Sequence, residues 1–212
     1  MNFRGHEFKT VPGTVHPQYS HDTFTIEEHD FRERYWNPQP GDVVVDAGAS
    51  YGSYTLTALA CGADVWAFEP EPTVMVDLER NVRENGWQNR CDLHTCGLWD
   101  KDAVVDMRSY AQHWPEDTIT DPFDMKRLDD VFTGDRLDWL KIDTEGAEER
   151  VVRGALDTIR KHKPKMIVEC HVFLEADMVQ KIRALLPEYE WIEEPRDPCV
   201  LLVGNWKPAE AA

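Results

Sequence analysis

The sequence predicts an α/β fold built on a mostly parallel sheet with helices on both faces. Short runs of consecutive apolar residues alternate with longer stretches of helical periodicity, and turn residues fall at the junctions. A parallel strand buried on both faces has no wet side, so continuously apolar runs such as "VVV" at 43–45 and "MIV" at 166–168 suit it better than strict alternation does.

The elements follow in order. A helical pattern near 25–35 leads into "NPQPGD", whose prolines and glycine end it before a first strand at 42–46. A helix at 52–61 connects to a strand at 64–69. The helix at 72–84 closes on Asn85-Gly86 and is followed by a strand at 91–96. Further strands are expected at 138–143, 165–170 and 199–203, with a short one near 189–193. Helices are expected at 146–161, which Lys163-Pro164 stops, and at 175–185. Residues 107–126 break this rhythm with polar, aromatic and proline residues. So long a segment without a pattern is expected to be functional, with Tyr110, His113 and Trp114 forming a flap over an acceptor pocket.

At 212 residues and 42% hydrophobic, the chain suits one sizeable core. We read residues 1–40 as an extension with a helix belonging to the same domain, 41–206 as the core and 207–212 as a tail. Lys and Arg total 23 against 40 Asp and Glu, a formal charge of -17, so nucleic acid is a disfavoured partner. No apolar run approaches the roughly 20 residues that span a bilayer, and "MNFRGHEFKTVPG" lacks the apolar core of a signal peptide. A soluble, cytoplasmic protein without membrane contact is expected. Cys61, Cys91, Cys96, Cys170 and Cys199 form no Cys-x-x-Cys pair, which suits a reduced compartment and packing roles. His6, His16, His21 and His29 are spaced by 10, 5 and 8 residues, matching no metal-finger pattern, and no metal ligands are assigned.

The stretch "VVVDAGASYGSYTLTALACGADVWAFEPEP", residues 43–72, carries the first chemistry. After the strand, Asp46-Ala47-Gly48 enters a tight turn, and Gly52 opens a helix where a missing side chain lets a ligand approach backbone amides. A dinucleotide fingerprint needs three glycines as G-x-G-x-x-G, and only Gly48 and Gly52 are present, so NAD fits poorly. Glu69 ends the next strand 23 residues after Asp46, where an acid can accept hydrogen bonds from both hydroxyls of a ribose. A ligand with a ribose and a positive centre but no pyrophosphate meets these features, and S-adenosylmethionine is that ligand. Asp46 also has a simpler reading as a helix cap.

The second stretch is "LDWLKIDTEGAEERVVRGA", residues 137–155, in which acids cluster at the carboxyl end of a strand. In "KPKMIVECH", residues 163–171, the pattern repeats, with Glu169 and His171 two positions apart and so on one face. If the two strands are neighbours, Asp143 converges with them. Such a cluster suits proton transfer or a divalent cation. Glu145 and Glu148 also serve a helix dipole in a first turn, and Lys141 lays its stem along the sheet or pairs with an acid.

Together "VVVDAGASYGSYTLTALA", "FEPEP", "RLDDVF", "LKIDTEGAEERVVRGA" and "KPKMIVECH" resemble the FkbM family of S-adenosylmethionine-dependent O-methyltransferases over roughly residues 24–205, with "KIDTEGAE" the most specific block. The resemblance implies the class I methyltransferase fold, a seven-stranded, mostly parallel sheet with its last strand antiparallel. It also implies methyl transfer to a hydroxyl of a small molecule or sugar. Asp46, Gly48, Gly52 and Glu69 would hold the cofactor, with Ala49, Ser50, Tyr51 and Pro70 in the same turns. Asp143, Glu145, Glu148, Glu169 and His171 would lie at the acceptor. Ser50-Tyr51 stands where the family often has Asn-Ile or Asn-Tyr, and little chain remains to build a substrate domain.

An aliphatic hydroxyl does not ionise at neutral pH unaided, so a base must take its proton or a cation must acidify it. His171, flanked by Asp143 and Glu169, is the favoured base, and a divalent cation held by the carboxylates is the alternative. Lys141, Asp143 and Glu169 also prompt a ribose 2'-O-methyltransferase acting on RNA. A non-catalytic S-adenosylmethionine-binding module and a homo-oligomer both stay open. Trp36, Trp99 and Trp114, in or beside expected loops, offer a flat face to a sugar-like acceptor.

Overall fold

A computed structural model describes residues 2–11, 27–106 and 122–208, with backbone alone for 27–30. The chain forms two compact units, Met1–Cys96 and Gly97–Ala212.

The first unit opens with the hairpin β1 (Asn2–Phe3) and β2 (His6–Glu7), followed by α1 (Glu27–Tyr35). Two strand-helix repeats and a third strand come next: β3 (Val43–Ala47), α2 (Ser53–Ala60), β4 (Asp64–Phe68), α3 (Pro72–Glu84), a 3-10 turn at Gln88–Arg90, and β5 (Cys91–His94). β3 pairs β4 in parallel with Asp46 opposite Ala67, and β4 pairs β5 with Phe68 opposite His94. Glu71 caps α3 by accepting from the Thr73 amide and hydroxyl, with Pro72 at the first helical position, where its missing N–H costs nothing. α1 packs on α2 through Trp36, whose indole N–H donates to the Thr57 hydroxyl at 3.0 Å and whose ring meets Tyr54 edge-on. Val44, Val45, Leu56, Leu59, Phe68 and Leu78 are fully buried in this unit.

In the second unit, β6 (Gly97–Leu98), β7 (Ala103–Val105) and β8 (Phe123–Lys126) form a small sheet in the order β6-β8-β7. There follow α4 (Leu128–Val131), β9 (Trp139–Ile142), α5 (Glu148–Arg153), α6 (Leu156–His162), β10 (Lys165–Cys170), α7 (Met178–Leu185), β11 (Tyr189–Arg196) and β12 (Cys199–Trp206). β9 and β10 are parallel with Ile142 opposite Val168, and β12 runs antiparallel to both β10 and β11. The large sheet has seven strands in the order β11-β12-β10-β9-β3-β4-β5, so it is mostly parallel with the last strand in the chain reversed, as expected.

Four expectations change. The helix expected over 146–161 is two helices, because Gly154 packs so tightly on the Trp99 carbonyl that a Cβ would lie 1.8 Å from its oxygen. The end of the patternless stretch, Phe123–Lys126, is a strand whose Phe123 and Met125 pack with Trp99. Tyr110, His113 and Trp114 lie outside the described residues. Trp36 and Trp99 are 0% and 4% exposed, so they are core residues and offer no acceptor face. The short strand near 189–193 runs on to Arg196, paired with β12 along its whole length.

All five cysteines are free thiols. Among the described residues no helix is long and apolar enough to cross a membrane. Of the N-terminal histidines, His6 lies in β2 and His29 in α1, while His16 and His21 fall outside the described residues.

Candidate active site

In the first unit the chain leaves β3 through a turn of left-handed residues, Gly48 at φ 74°, Ser50 at φ 49° and Gly52 at φ 100°. An L side chain at such angles costs energy, so Ser50 holds this conformation only because its surroundings impose it. The main restraint is Glu69, just beyond β4. Its Oε2 accepts from the Ser50 amide at 2.9 Å and its Oε1 from the Glu71 amide at 3.0 Å. The Gly48 and Ala49 amides both donate to the Phe68 carbonyl at 3.0 Å. Glu69 is 8% exposed.

The other residues of this turn divide by burial. Asp46 is fully buried and accepts from the Thr55 hydroxyl at 2.7 Å, which ties β3 to α2 rather than capping the helix end. Ser50 is exposed, Tyr51 and Pro70 are half-buried, and Ala49 is buried. Burial first, then the charges of Asp77, Glu69 and Glu71, hold the Tyr51 phenol above its ordinary pKa. At Gly52 a Cβ would lie 2.5 Å from the Leu78 side chain.

In the second unit the same kind of turn follows β9. Glu145 is left-handed at φ 54°, Gly146 follows at φ 101°, and α5 begins at Glu148. Glu148 is fully buried and its Oε1 gathers the Thr144 amide at 3.2 Å, the Gly146 amide at 2.9 Å and His171 Nδ1 at 2.9 Å. The other ring nitrogen of His171, Nε2, lies 3.3 Å from Glu145 and 3.9 Å from Asp143. Register explains the convergence. Lys141 lies opposite Ile167 in the parallel ladder, so one step on along the same alternation Asp143 and Glu169 share a face. Lys141 is buried and pairs with Asp143 at 3.8 Å. Glu169 pairs instead with Arg196 at 3.3 Å.

These charges decide the state of the imidazole. Burial alone would lower the His171 pKa, but the hydrogen bond to Glu148 and the charges of Glu148, Asp143 and Glu145 outweigh it and raise it to about 9. His171 is therefore a cation at neutral pH. Burial and the neighbouring Glu169 push the Cys199 thiol up to about 12. One ligand atom each from Asp143, Glu145 and His171 lie within 4.8 Å of one another, as do those of Glu169, His171 and Cys199. Two carboxylates and an imidazole suit a hard divalent cation better than a set containing a protonated thiol does.

The fold thus gathers Asp143, Glu145 and His171 closely and turns Glu169 toward Arg196 and Cys199. Glu148 has a larger part than a helix-dipole acid, and its spacing of two residues beyond the left-handed Gly146 was the available signal. Arg196 and Cys199 gave none, because only antiparallel pairing of β12 with β10 and β11 brings them to this face.

The model of the methyltransferase FkbM domain matches residues 46–190. The chain is 30% identical over 154 residues to Methyltransferase 1 of Beauveria bassiana (strain ARSEF 2860), covering 57% of this chain and 61% of that protein. Among solved structures it resembles the FkbM methyltransferase of Methylobacillus flagellatus KT, with TM-score 0.62 and 22% identity over 82% of this chain and 46% of that one. A putative rRNA-methylase from Clostridium thermocellum shares the fold at TM-score 0.58 and 12% identity, over 86% and 97% of the two chains. The chain thus spans less than two thirds of the curated relative and about half of the solved FkbM protein. The matched region contains both left-handed turns, Glu69, Glu148 and His171, and the chain belongs to the FkbM methyltransferase family, membership of which implies use of S-adenosylmethionine.

Proposed function

We propose that the chain transfers the methyl group of S-adenosylmethionine to a hydroxyl of a small molecule or sugar. In this reading the turn from Asp46 to Gly52, together with Glu69 and Pro70, holds the donor, with Glu69 accepting from the ribose hydroxyls. When bound, the donor supplies an electrophilic methyl on a sulfonium, and the protein must align an oxygen with it and remove one proton.

The observation that carries the acceptor half is the orientation of His171. Glu148 fixes Nδ1, which leaves Nε2 directed at the half-buried carboxylates of Asp143 and Glu145. Neutral His171 accepts the hydroxyl proton at Nε2, and the two carboxylates stabilise the imidazolium that results. Because the surrounding acids hold the group near 9, the neutral fraction is small at pH 7 and grows about tenfold per pH unit. Methyl transfer should accordingly accelerate with pH and level off near 9.

Supporting the small-molecule reading over RNA is the formal charge of -17, which opposes a phosphate backbone. The test is formation of S-adenosylhomocysteine and of a product heavier by one methylene, with panels of sugars, small alcohols and RNA oligonucleotides. Turnover on RNA alone would replace the proposal. Cofactor binding with no turnover on any acceptor would reduce the chain to a binding module. Dependence on Mg²⁺ or Mn²⁺, lost on chelation and restored on addition, would make the Asp143, Glu145 and His171 group a cation site instead of a proton acceptor.

A further inference from the structure

The buried face of α3 is formed by Met75, Leu78, Asn81 and Val82, so a primary amide sits in an otherwise apolar row. Asn81 is fully buried. Burying an amide is costly unless its donor and acceptor are both satisfied, and a leucine would pack such a position more favourably. Both ends of Asn81 are engaged, each with backbone from a different part of the chain. Its Nδ2 donates to the Tyr51 carbonyl at 3.1 Å, and its Oδ1 accepts from the Val11 amide at 2.8 Å.

One helical turn on, Asn85 repeats the arrangement on the N-terminal side. Its Oδ1 accepts from the Lys9 amide and its Nδ2 donates to the Lys9 carbonyl, both at 2.8 Å. The segment Lys9–Val11 is therefore held on α3 through its backbone, with the Lys9 ammonium also 3.8 Å from Glu84, and Asn81 passes the connection onward. The carbonyl it reaches belongs to Tyr51, between left-handed Ser50, whose amide Glu69 holds, and left-handed Gly52. A turn with those dihedrals needs outside restraint, and Asn81 supplies it at Tyr51, next to the Ser50 amide that Glu69 holds.

We infer that Asn81 is a positioning residue for the methyl donor, coupling the docked segment Lys9–Val11 to the turn Gly48–Gly52. The inference rests on the reading of that turn as the donor site. With the segment docked, the Asn81 amide is held at both ends and the Tyr51 carbonyl keeps its orientation. With the segment undocked, Oδ1 loses its partner and the restraint on the turn weakens.

The test is calorimetry with S-adenosylhomocysteine on the full chain, well below the lowest melting temperature of the set. Asn81→Leu should raise Kd about 5- to 20-fold, the worth of about one to two net hydrogen bonds. Val11→Pro removes the amide from which Oδ1 accepts, and Asn85→Ala removes both hydrogen bonds to the Lys9 backbone, so each should raise Kd about 2- to 5-fold. Asn81→Leu combined with Val11→Pro should be no weaker than Asn81→Leu alone, because both cut one connection. A merely structural amide would lower the melting temperature and leave Kd unchanged, which overturns the inference, as does full multiplication of the two effects. Should Asn81→Leu not fold, hydrogen exchange in Val11→Pro decides: faster exchange of the Ser50–Ser53 amides supports the coupling, and unchanged exchange ends it. Glu69→Ala separates the two levels. If it weakens binding while Asn81→Leu does not, only the coupling fails. If it leaves binding unchanged, the donor site is misplaced and the inference falls with it.

Discussion

The turns after β3 and β9 are built alike, and the proposed function uses them differently. In each, a strand ends, a non-glycine residue adopts left-handed dihedrals, a left-handed glycine follows, a helix begins, and one buried carboxylate collects two backbone amides. In the first turn the carboxylate is Glu69, delivered from the neighbouring strand and still 8% exposed. In the second it is Glu148, delivered from the helix itself, fully buried and bonded to His171. An acid next to a cleft does not by itself mean ligand binding. What separates the two is access: Glu69 is 8% exposed, while Glu148 is fully buried and fixes an imidazole, and in the proposed mechanism the ligand meets that imidazole instead.

The largest expected effect lies in the second turn. His171→Ala should cut methyl transfer by about 100- to 10,000-fold, the usual worth of a general base, with donor affinity nearly intact. Single-turnover rates with saturating donor check this, and a variant that keeps full turnover removes His171 from the chemistry.

Next comes Glu69→Ala, expected to weaken donor binding by roughly 1.5–3 kcal/mol, about 10- to 100-fold. The same change frees the Ser50 and Glu71 amides, so it should also lower the melting temperature by a few degrees. Loss of stability with unchanged affinity would make Glu69 the counterpart of Glu148 and erase the contrast between the turns.

The third prediction concerns pH. The folded-state pKa of His171 is raised above its ordinary value to about 9, so the stability it contributes is fully present below about 6.5 and is lost as pH rises through 9. Replacing Glu148 by glutamine removes the first of the raising causes and leaves burial to act downward. The rise in methyl transfer with pH should then level off well below 9. Rate profiles and urea midpoints from pH 6 to 10 in both proteins follow the two effects, and identical profiles would show that Glu148 does not set the imidazole.

Smallest is the backbone effect. Gly52→Ala places a Cβ at φ 100°, 2.5 Å from a movable Leu78 methyl, and should cost about 1–3 kcal/mol of stability, read from urea unfolding. An unchanged midpoint would mean the turn relaxes without loss.

The sequence shows the parts of this design that depend on residue order, and hides those that depend on pairing between distant strands. Continuous apolar runs and turn residues located all seven strands of the large sheet, because burial on both faces leaves a direct mark on composition. The place of Glu69 just beyond β4 was legible because its distance from Asp46 is set by one strand-helix-strand repeat. Glu169 and His171 were rightly placed on one face by alternation alone. Yet alternation could not say that Glu169 would turn to Arg196, which lies on β11, two strands away across the reversed strand β12. Gly154 lies inside the single helix expected at 146–161, and its meaning depends on Trp99, some 55 residues earlier. Asn81 is the hardest case: in sequence it is one polar residue in a helix, and its role appears only when Val11 and Tyr51 are found on either side of it.

The difference between the two carboxylates is tested most directly by paired calorimetry with S-adenosylhomocysteine on Glu69→Ala and Glu148→Gln. The expected result is a loss of about 10- to 100-fold in the first and less than about 3-fold in the second. Equal losses in both, or none in Glu69→Ala, would contradict the assignment of one acid to the donor and the other to the imidazole.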